Sequence, residues 1–181
     1  DAKRGDMGST MKAYADAWLG TSSPLGTDSV TLSPYLGFES LRPALDAATT
    51  NQRGTFVLAL TSNPEGKSVQ HVGKAEDTGA VAKQVIAAAT AENTAQTWER
   101  MGSCGLVVGA TVGEALKELA IDLSTFNGPI LSPGYGAQGA SAEDLYRIFA
   151  GVESQVLVNS SRGVLSAGPQ PTDLARAAQS A

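Results

Sequence analysis

Short apolar runs alternate with segments of helical periodicity along the chain, and this alternation limits the fold more than any other feature. The apolar runs are uniformly hydrophobic and rich in β-branched residues, as in parallel strands that are covered on both faces. Strand–helix alternation throughout predicts βαβ units and an α/β fold. The predicted strands are Val30–Leu32, Thr55–Leu60, Gly105–Val108, Pro129–Leu131 and Val156–Val158.

Helical patterns fill the segments between these strands, with apolar residues at i, i+3, i+4 and i+7. Capping signals are seen at Ser9, at Thr111 with Glu114, and at Ser141 with Asp144. The predicted helices cover Met11–Trp18, Phe38–Ala48, Asp77–Trp98, Leu116–Leu123 and Leu145–Val152, and a sixth starts near Thr172.

Composition and charge exclude several classes of protein. The 181 residues carry a net charge of −5, whereas a nucleic-acid binder usually has a basic face. Hydrophobic residues make up 42% of the chain, which is enough for a sizeable core. No apolar run approaches the roughly 18 residues of a membrane span. The first residues show no signal-peptide pattern, so a reducing cytoplasm is the expected compartment.

Five strands leave two architectures open: a complete open sheet, or an incomplete (β/α)₈ barrel, which needs eight strands and about 250 residues. The charged segment Asp1–Asp6 runs directly into a helix and resembles a loop that follows a strand, although no strand precedes it. We therefore expect a single domain that is the C-terminal part of a longer protein, lacking the first two to three βα units.

The same charged segment is the first candidate for chemistry. Lys3 lies between Asp1 and Asp6, and neighbouring carboxylates hold a lysine as an ammonium ion that can donate a proton. A solvated charged turn is the simpler interpretation. The functional interpretation gains weight only from the position of the segment before a helix in a parallel β/α chain.

Three loops that follow strands are further candidates. The glycine-rich segment Ser132–Ala140 precedes a helix, and Arg162 follows the last strand. Backbone N–H groups and an arginine fork are suited to phosphate, and the last two strands of such barrels often carry the phosphate site. The polar segment Thr61–Pro64 offers groups that can hydrogen-bond a polar ring, although Asn-Pro also predicts a simple turn.

The remaining reactive residues carry weaker signals. His71 lies in a polar loop without a second histidine or cysteine nearby, so we expect neither a metal site nor a catalytic role there. Cys104, the single cysteine, starts an apolar strand and is expected to be a core residue. No metal site is predicted anywhere in the chain.

Four of these segments, in this order, resemble the orotidine 5′-monophosphate decarboxylases, most closely a bacterial branch. The resemblance covers essentially the whole chain and rests on Asp-Ala-Lys-Arg-Gly-Asp at 1–6, Pro-Tyr-Leu-Gly at 34–37, Thr-Ser-Asn-Pro-Glu at 61–65 and Pro-Gly-Tyr-Gly-Ala-Gln-Gly at 133–139. It implies a (β/α)₈ barrel, present here from about the end of strand 3 to strand 8. It further implies cofactor-free decarboxylation of the nucleotide to UMP by a homodimer with shared active sites.

The resemblance also assigns roles to individual residues. Lys3 is implied to protonate C6 of the pyrimidine, with Asp1 beside the departing carboxylate, while Asp6 and Thr10 serve the neighbouring subunit's site. Ser62 is implied to contact the pyrimidine. Gln138 and Arg162 are implied to bind the 5′-phosphate, with help from backbone N–H groups of the surrounding loops, and Gly136 is a further substrate-binding residue. The family's first catalytic lysine and a ribose-binding aspartate belong to the part that precedes Asp1.

Two alternatives remain open at this point. A related sugar-phosphate decarboxylase shares the D-x-K-x-x-D pattern, but that chemistry needs a metal with acidic ligands at strand ends, and no such cluster is visible in the sequence. A non-catalytic fragment or interaction module is the second alternative, because the expected N-terminal units are absent.

Overall fold

Five parallel strands joined by helices form one sheet in the computed structural model, which describes residues 1–73, 79–136 and 139–180. All five predicted strands are confirmed, each to within two residues at either end. Their bounds are β1 (Ser29–Leu32), β2 (Gly54–Leu60), β3 (Cys104–Val108), β4 (Ile130–Pro133) and β5 (Val156–Asn159).

The strands lie in the sheet in chain order, β1-β2-β3-β4-β5. In an open doubly wound sheet the strand order reverses at a switch point, whereas in a (β/α)₈ barrel each strand pairs with the next one along the chain. The observed order therefore favours the barrel of the two architectures that the strand count leaves open. All five residues of β3 are buried, while Leu157 and Val158 of β5 are 52% and 46% exposed.

Eight α-helices are present in the described residues, against the six that were predicted. The additional ones, α3 and α7, have four and five residues, too few to show a helical period in the sequence. The helices are α1 (Gly8–Leu19), α2 (Arg42–Thr50), α3 (Lys67–Gln70), α4 (Val81–Thr94), α5 (Gly113–Glu118), α6 (Ala142–Ile148), α7 (Ser161–Leu165) and α8 (Pro171–Ser180).

Helix ends show where sequence signals succeed and where they fail. Ser141 and Asp144 form the predicted capping box at the start of α6. The capping box predicted at Thr111 is wrong: α5 begins at Gly113, because the N–H of Ala110 donates to Pro133 O and ties this stretch to β4. Ser9 is not a cap either, since α1 already begins at Gly8.

Three predicted helices end earlier than their apolar pattern suggests, and one of them, α6, ends at Ile148 and not at Val152. Helix α4 ends at Thr94 and not near Trp98, whose indole Nε1 donates to the carbonyl of Asn93 at 2.8 Å and satisfies that helix end. The predicted start of this helix at Asp77 lies outside the described residues. Helix α5 ends at Glu118, because the chain turns through a left-handed residue, Ala120, with φ 50°.

The core lies between the sheet and its helices, and one buried amide joins the two layers. Asn93 of α4 is 1% exposed, and its Nδ2 donates to Cys104 O at 2.8 Å while its Oδ1 accepts from Cys104 N at 3.1 Å. Gly102 leaves room for this side chain, since a Cβ there would lie 2.1 Å from Asn93 Oδ1. The amide therefore fixes α4 against the amino end of β3.

Replacing Asn93 with alanine should lower the free energy of unfolding by roughly 2–4 kcal/mol, because both backbone groups of Cys104 lose their partner in a buried place. Thr94→Ala is the matched control, since Thr94 is exposed on the next position of α4 and should cost less than about 0.5 kcal/mol. Urea unfolding of both variants in the full-length protein measures the difference. Equal losses would contradict the role given to Asn93.

Candidate functional site

The polar loops that follow the strands lie at one edge of the sheet, because all five strands are parallel. The segment Asp1–Asp6 reaches this edge alongside β1. Arg4 forms a parallel bridge with Leu32, and its carbonyl accepts from the N–H of Ser33 at 2.8 Å. The charged segment thus continues the sheet beside β1.

Asp1 and Lys3 form an ion pair between Asp1 Oδ2 and Lys3 Nζ, with side chains 62% and 51% exposed. A buried hydroxyl, Thr31 Oγ1, donates to Asp1 Oδ1 at 2.6 Å. Thr31 Oγ1 also accepts hydrogen bonds from the N–H groups of Ala2 and Lys3, at 2.8 and 3.0 Å. Lys3 has φ 49°, a left-handed conformation that is uncommon for a residue with a side chain.

Gly5 lets the segment pass close to the next loop. A Cβ at this position would lie 2.0 Å from Ser33 O, so only glycine fits there. Asp6 follows, and its Oδ1 accepts from the N–H of Met7 at 2.8 Å. Within the described residues Asp6 forms no ion pair with Lys3, so the structure brings together Asp1 and Lys3 but not Asp6. Thr10 is exposed on α1.

The loop after β2 is held by Gln70, which the sequence analysis did not identify. Thr61 N donates to Gln70 Oε1 at 2.9 Å, and Gln70 Nε2 donates to Thr61 Oγ1 at 2.8 Å. This two-point contact fixes the residue immediately before Ser62. A Cβ on Gly109 would come within 3.1 Å of Ser62, so the ends of β2 and β3 touch here. No spacing rule in the sequence links positions 61 and 70, because α3 is too short to be recognised.

The loop after β4 turns on three glycines with positive φ: Gly134 (112°), Gly136 (65°) and Gly139 (95°). The N–H of Gly136 donates to Ala140 O at 2.9 Å, within the loop itself. Gln138, which the resemblance assigns to phosphate, lies outside the described residues. Contacts of Gly136 and Gln138 with a ligand therefore stay predictions.

Arg162 lies in the first turn of α7 and is exposed. It lines a cavity of 110 Å³ between the loops that follow β4 and β5. The other lining residues are Pro133, Gly134, Tyr135, Asn159, Ser160 and Ser161. Among the described residues, Asn159 Oδ1 and the neighbouring Ser132 Oγ are buried without a hydrogen-bond partner. A small polar cavity that contains an arginine is suited to an anion.

The weaker candidates, Cys104 and His71, form no contact with the candidate site residues that the described structure records. Cys104 is buried at the opposite, amino end of β3, and burial raises the pKa of its thiol to about 12, so it stays protonated and inert at neutral pH. His71 immediately follows α3. In residues 1–73, 79–136 and 139–180 no three His, Cys, Asp or Glu side chains are grouped as a metal site. Over the same residues, no helix is both long and apolar enough to cross a membrane.

Comparison with known proteins connects this geometry to a family. Residues 1–178 match the family model described as "Orotidine 5'-phosphate decarboxylase / HUMPS family". Curated relatives named orotidine 5′-phosphate decarboxylase include one from Streptomyces coelicolor, 50% identical, and one from Salinispora tropica, 51% identical, each over 98% of this chain. The chain spans 62% of the length of each of these relatives.

A solved structure shows the same architecture. A crystal structure titled as a putative orotidine 5′-phosphate decarboxylase from Streptomyces avermitilis superposes with a TM-score of 0.89 at 50% identity. The match covers 99% of this chain and 61% of that one. With the strand order, this match confirms the sequence-based expectation of an incomplete (β/α)₈ barrel.

Proposed function

The chain belongs to the orotidine 5′-phosphate decarboxylase / HUMPS family, and on that premise we propose that it carries most of the active site of an enzyme that converts orotidine 5′-phosphate to UMP. The observation that carries the proposal is the Asp1–Lys3 ion pair, positioned by a buried strand residue at the sheet edge where the phosphate cavity also opens. Relatives at about 50% identity that are named for this activity support it.

Lys3 supplies the charge and the proton that the reaction needs. Loss of carbon dioxide leaves an electron pair at C6 of the pyrimidine, and we propose that no cofactor serves as an electron sink. A preorganised ammonium group stabilises the developing negative charge. The Lys3 ammonium then gives its proton to C6, which becomes the C6–H of UMP. Asp1, paired with Lys3, faces the departing carboxylate and keeps the ammonium in place.

Phosphate binding takes place at the other end of the substrate. Arg162 offers a charged fork in the cavity between the last two loops, and Gly136 and Gln138 belong to the glycine-rich loop beside it. Ser62 contacts the pyrimidine from the loop that Gln70 holds. Binding energy from the phosphate, remote from C6, orients the ring and so lowers the chemical barrier.

We also propose a homodimer in the cytoplasm, in which Asp6 and Thr10 complete the neighbouring subunit's site. Support comes from exposed apolar residues in the two loops that Gly5 brings into contact: Met7, Tyr35 and Leu36 are 61%, 79% and 53% exposed. An N-terminal segment or second chain supplies the remaining strands of the barrel and pairs with β5. The exposed side chains of Leu157 and Val158 support this part of the proposal.

Lys3→Ala in the full-length protein should lower kcat by roughly 10³-fold or more, because both charge stabilisation and the proton donor are lost. Binding of the product UMP should weaken far less. Lys12→Ala is the matched control, since Lys12 is also exposed and paired with an aspartate, Asp16. Steady-state kinetics and UMP titration measure both effects. Near-normal turnover of Lys3→Ala would refute the assignment.

Arg162→Ala should lower kcat/KM for orotidine 5′-phosphate by about ten- to a hundredfold, the effect of losing a hydrogen bond to a charged group. Turnover of orotidine, which lacks the phosphate, should hardly change. Arg176→Ala on α8 controls for the loss of an exposed arginine. Equal losses on the two substrates would argue against a phosphate contact.

Shared sites make a quantitative prediction for mixed dimers. Homodimers of Asp6→Ala and of Lys3→Ala should each be nearly inactive. A hybrid dimer, with one subunit of each variant, has one site in which an intact Lys3 from one subunit meets an intact Asp6 from the other. After 1:1 subunit exchange, half of the dimers are hybrids, so about a quarter of the wild-type activity should return. Absence of recovery, with exchange verified by mass spectrometry, would show that Asp6 does not cross to the neighbouring site.

Removal of metal ions by chelation distinguishes the proposed enzyme from the alternative, a metal-dependent sugar-phosphate decarboxylase. Activity on orotidine 5′-phosphate should survive exhaustive treatment with EDTA, because Lys3 and not a Lewis acid carries the charge. The assay compares treated enzyme with and without added Mg²⁺. Activity that disappears with EDTA and returns with Mg²⁺ would favour the alternative.

A further inference from the structure

The hydroxyl of Thr31 uses its full hydrogen-bonding capacity on the Asp1–Lys3 segment. A hydroxyl has one donor and two acceptor positions. Thr31 Oγ1 accepts from Ala2 N and Lys3 N, at 2.8 and 3.0 Å, and donates to Asp1 Oδ1 at 2.6 Å. All three of its bonds therefore go to residues of one short, catalytically assigned segment.

These bonds fix both partners of the ion pair. The donated bond occupies one oxygen of the Asp1 carboxylate, which leaves the other oxygen, Oδ2, facing Lys3 Nζ. The accepted bonds hold the backbone of Lys3, whose φ of 49° is unfavourable for a residue with a Cβ. Without the hydroxyl, neither the carboxylate direction nor this backbone conformation has a buried partner to maintain it.

Thr31 is itself rigidly placed. It is 5% exposed, and in the sheet it is paired with Phe56 of β2. The catalytic segment, by contrast, is largely exposed and has a single bridge to β1, at Arg4. The buried strand β1 thus holds the exposed Asp1–Lys3 pair in place through one atom, Thr31 Oγ1.

We propose that Thr31 is a positioning residue for the reaction, one that aligns the Asp1 carboxylate and the Lys3 ammonium through its hydroxyl. The role as a catalytic aid rests on the proposed decarboxylase function. The role as an anchor for residues 1–3 rests on the hydrogen bonds alone. Thr31 touches neither the substrate nor the proton that is transferred.

Three variants of the full-length protein test the proposal. Thr31→Val keeps the shape and removes the hydroxyl, while Thr31→Ser keeps the hydroxyl and removes the methyl group. Thr55→Val makes the same exchange at a threonine of β2 that is 1% exposed and forms no hydrogen bond with residues 1–3. Each variant is measured for kcat and KM on orotidine 5′-phosphate, for UMP affinity, and for amide hydrogen exchange at Ala2 and Lys3 by NMR.

We expect Thr31→Val to lower kcat by about ten- to a hundredfold, the effect of losing a hydrogen bond to a charged group, with UMP affinity nearly unchanged. Exchange at Ala2 and Lys3 should become faster in this variant alone, because the acceptor of both amides is gone. Thr31→Ser and Thr55→Val should both keep kcat and the exchange rates at Ala2 and Lys3 close to the wild-type values.

Two results would overturn the proposal: unchanged exchange at Ala2 and Lys3 in Thr31→Val, or a loss of kcat that Thr55→Val reproduces. If the wild-type protein does not turn over orotidine 5′-phosphate, the proposed function fails. Faster exchange in Thr31→Val would then still support Thr31 as the anchor of the segment. The exchange measurement thus separates the two failures.

Discussion

Parallel pairing of five consecutive strands is the constraint on which the rest of the structure depends. Because every strand runs in the same direction, the loops after β1 to β5 meet at one edge of the sheet. The bridge between Arg4 and Leu32 adds the N-terminal segment to that edge. Residues that are far apart in the chain, such as Lys3 and Arg162, therefore lie on the same side of the sheet.

Buried polar groups connect this rigid sheet to its surroundings. Asn93 joins α4 to β3 at the amino end of the sheet, and Thr31 joins β1 to the charged segment at the carboxyl end. Each is almost inaccessible to solvent, where an unpaired polar group is costly, so each fixes the groups that it binds. We expect the first contact to serve stability, and we propose that the second serves the geometry of the reaction.

The ion pair itself contributes little to the stability of the fold. Asp1 and Lys3 are more than half exposed, and such pairs contribute about 0–1 kcal/mol because solvent screens them. Their alignment by Thr31 and the left-handed backbone at Lys3 need another explanation, which the proposed chemistry supplies. A charge held in place before the reaction requires no reorganisation when negative charge develops on the substrate.

The sequence by itself determined the elements with a strong local signal. Uniformly apolar runs rich in β-branched residues predicted all five strands, and reciprocal side-chain capping predicted the start of α6 at Ser141, because both signals depend on neighbouring residues only. The motif at Asp1–Asp6 and the loop with Arg162 supplied candidate site residues, whose roles stay predictions.

Tertiary structure decided what depends on contacts between distant segments. The strand order that favours a barrel, the late start of α5 caused by the Ala110–Pro133 hydrogen bond, and the end of α4 at the indole of Trp98 all come from such contacts. For the same reason, the sequence analysis did not identify Thr31 and Gln70 as residues that hold the candidate site. A threonine in a strand looks like any β-branched core residue, and only folding brings its hydroxyl, 30 positions away in the chain, to the carboxylate of Asp1.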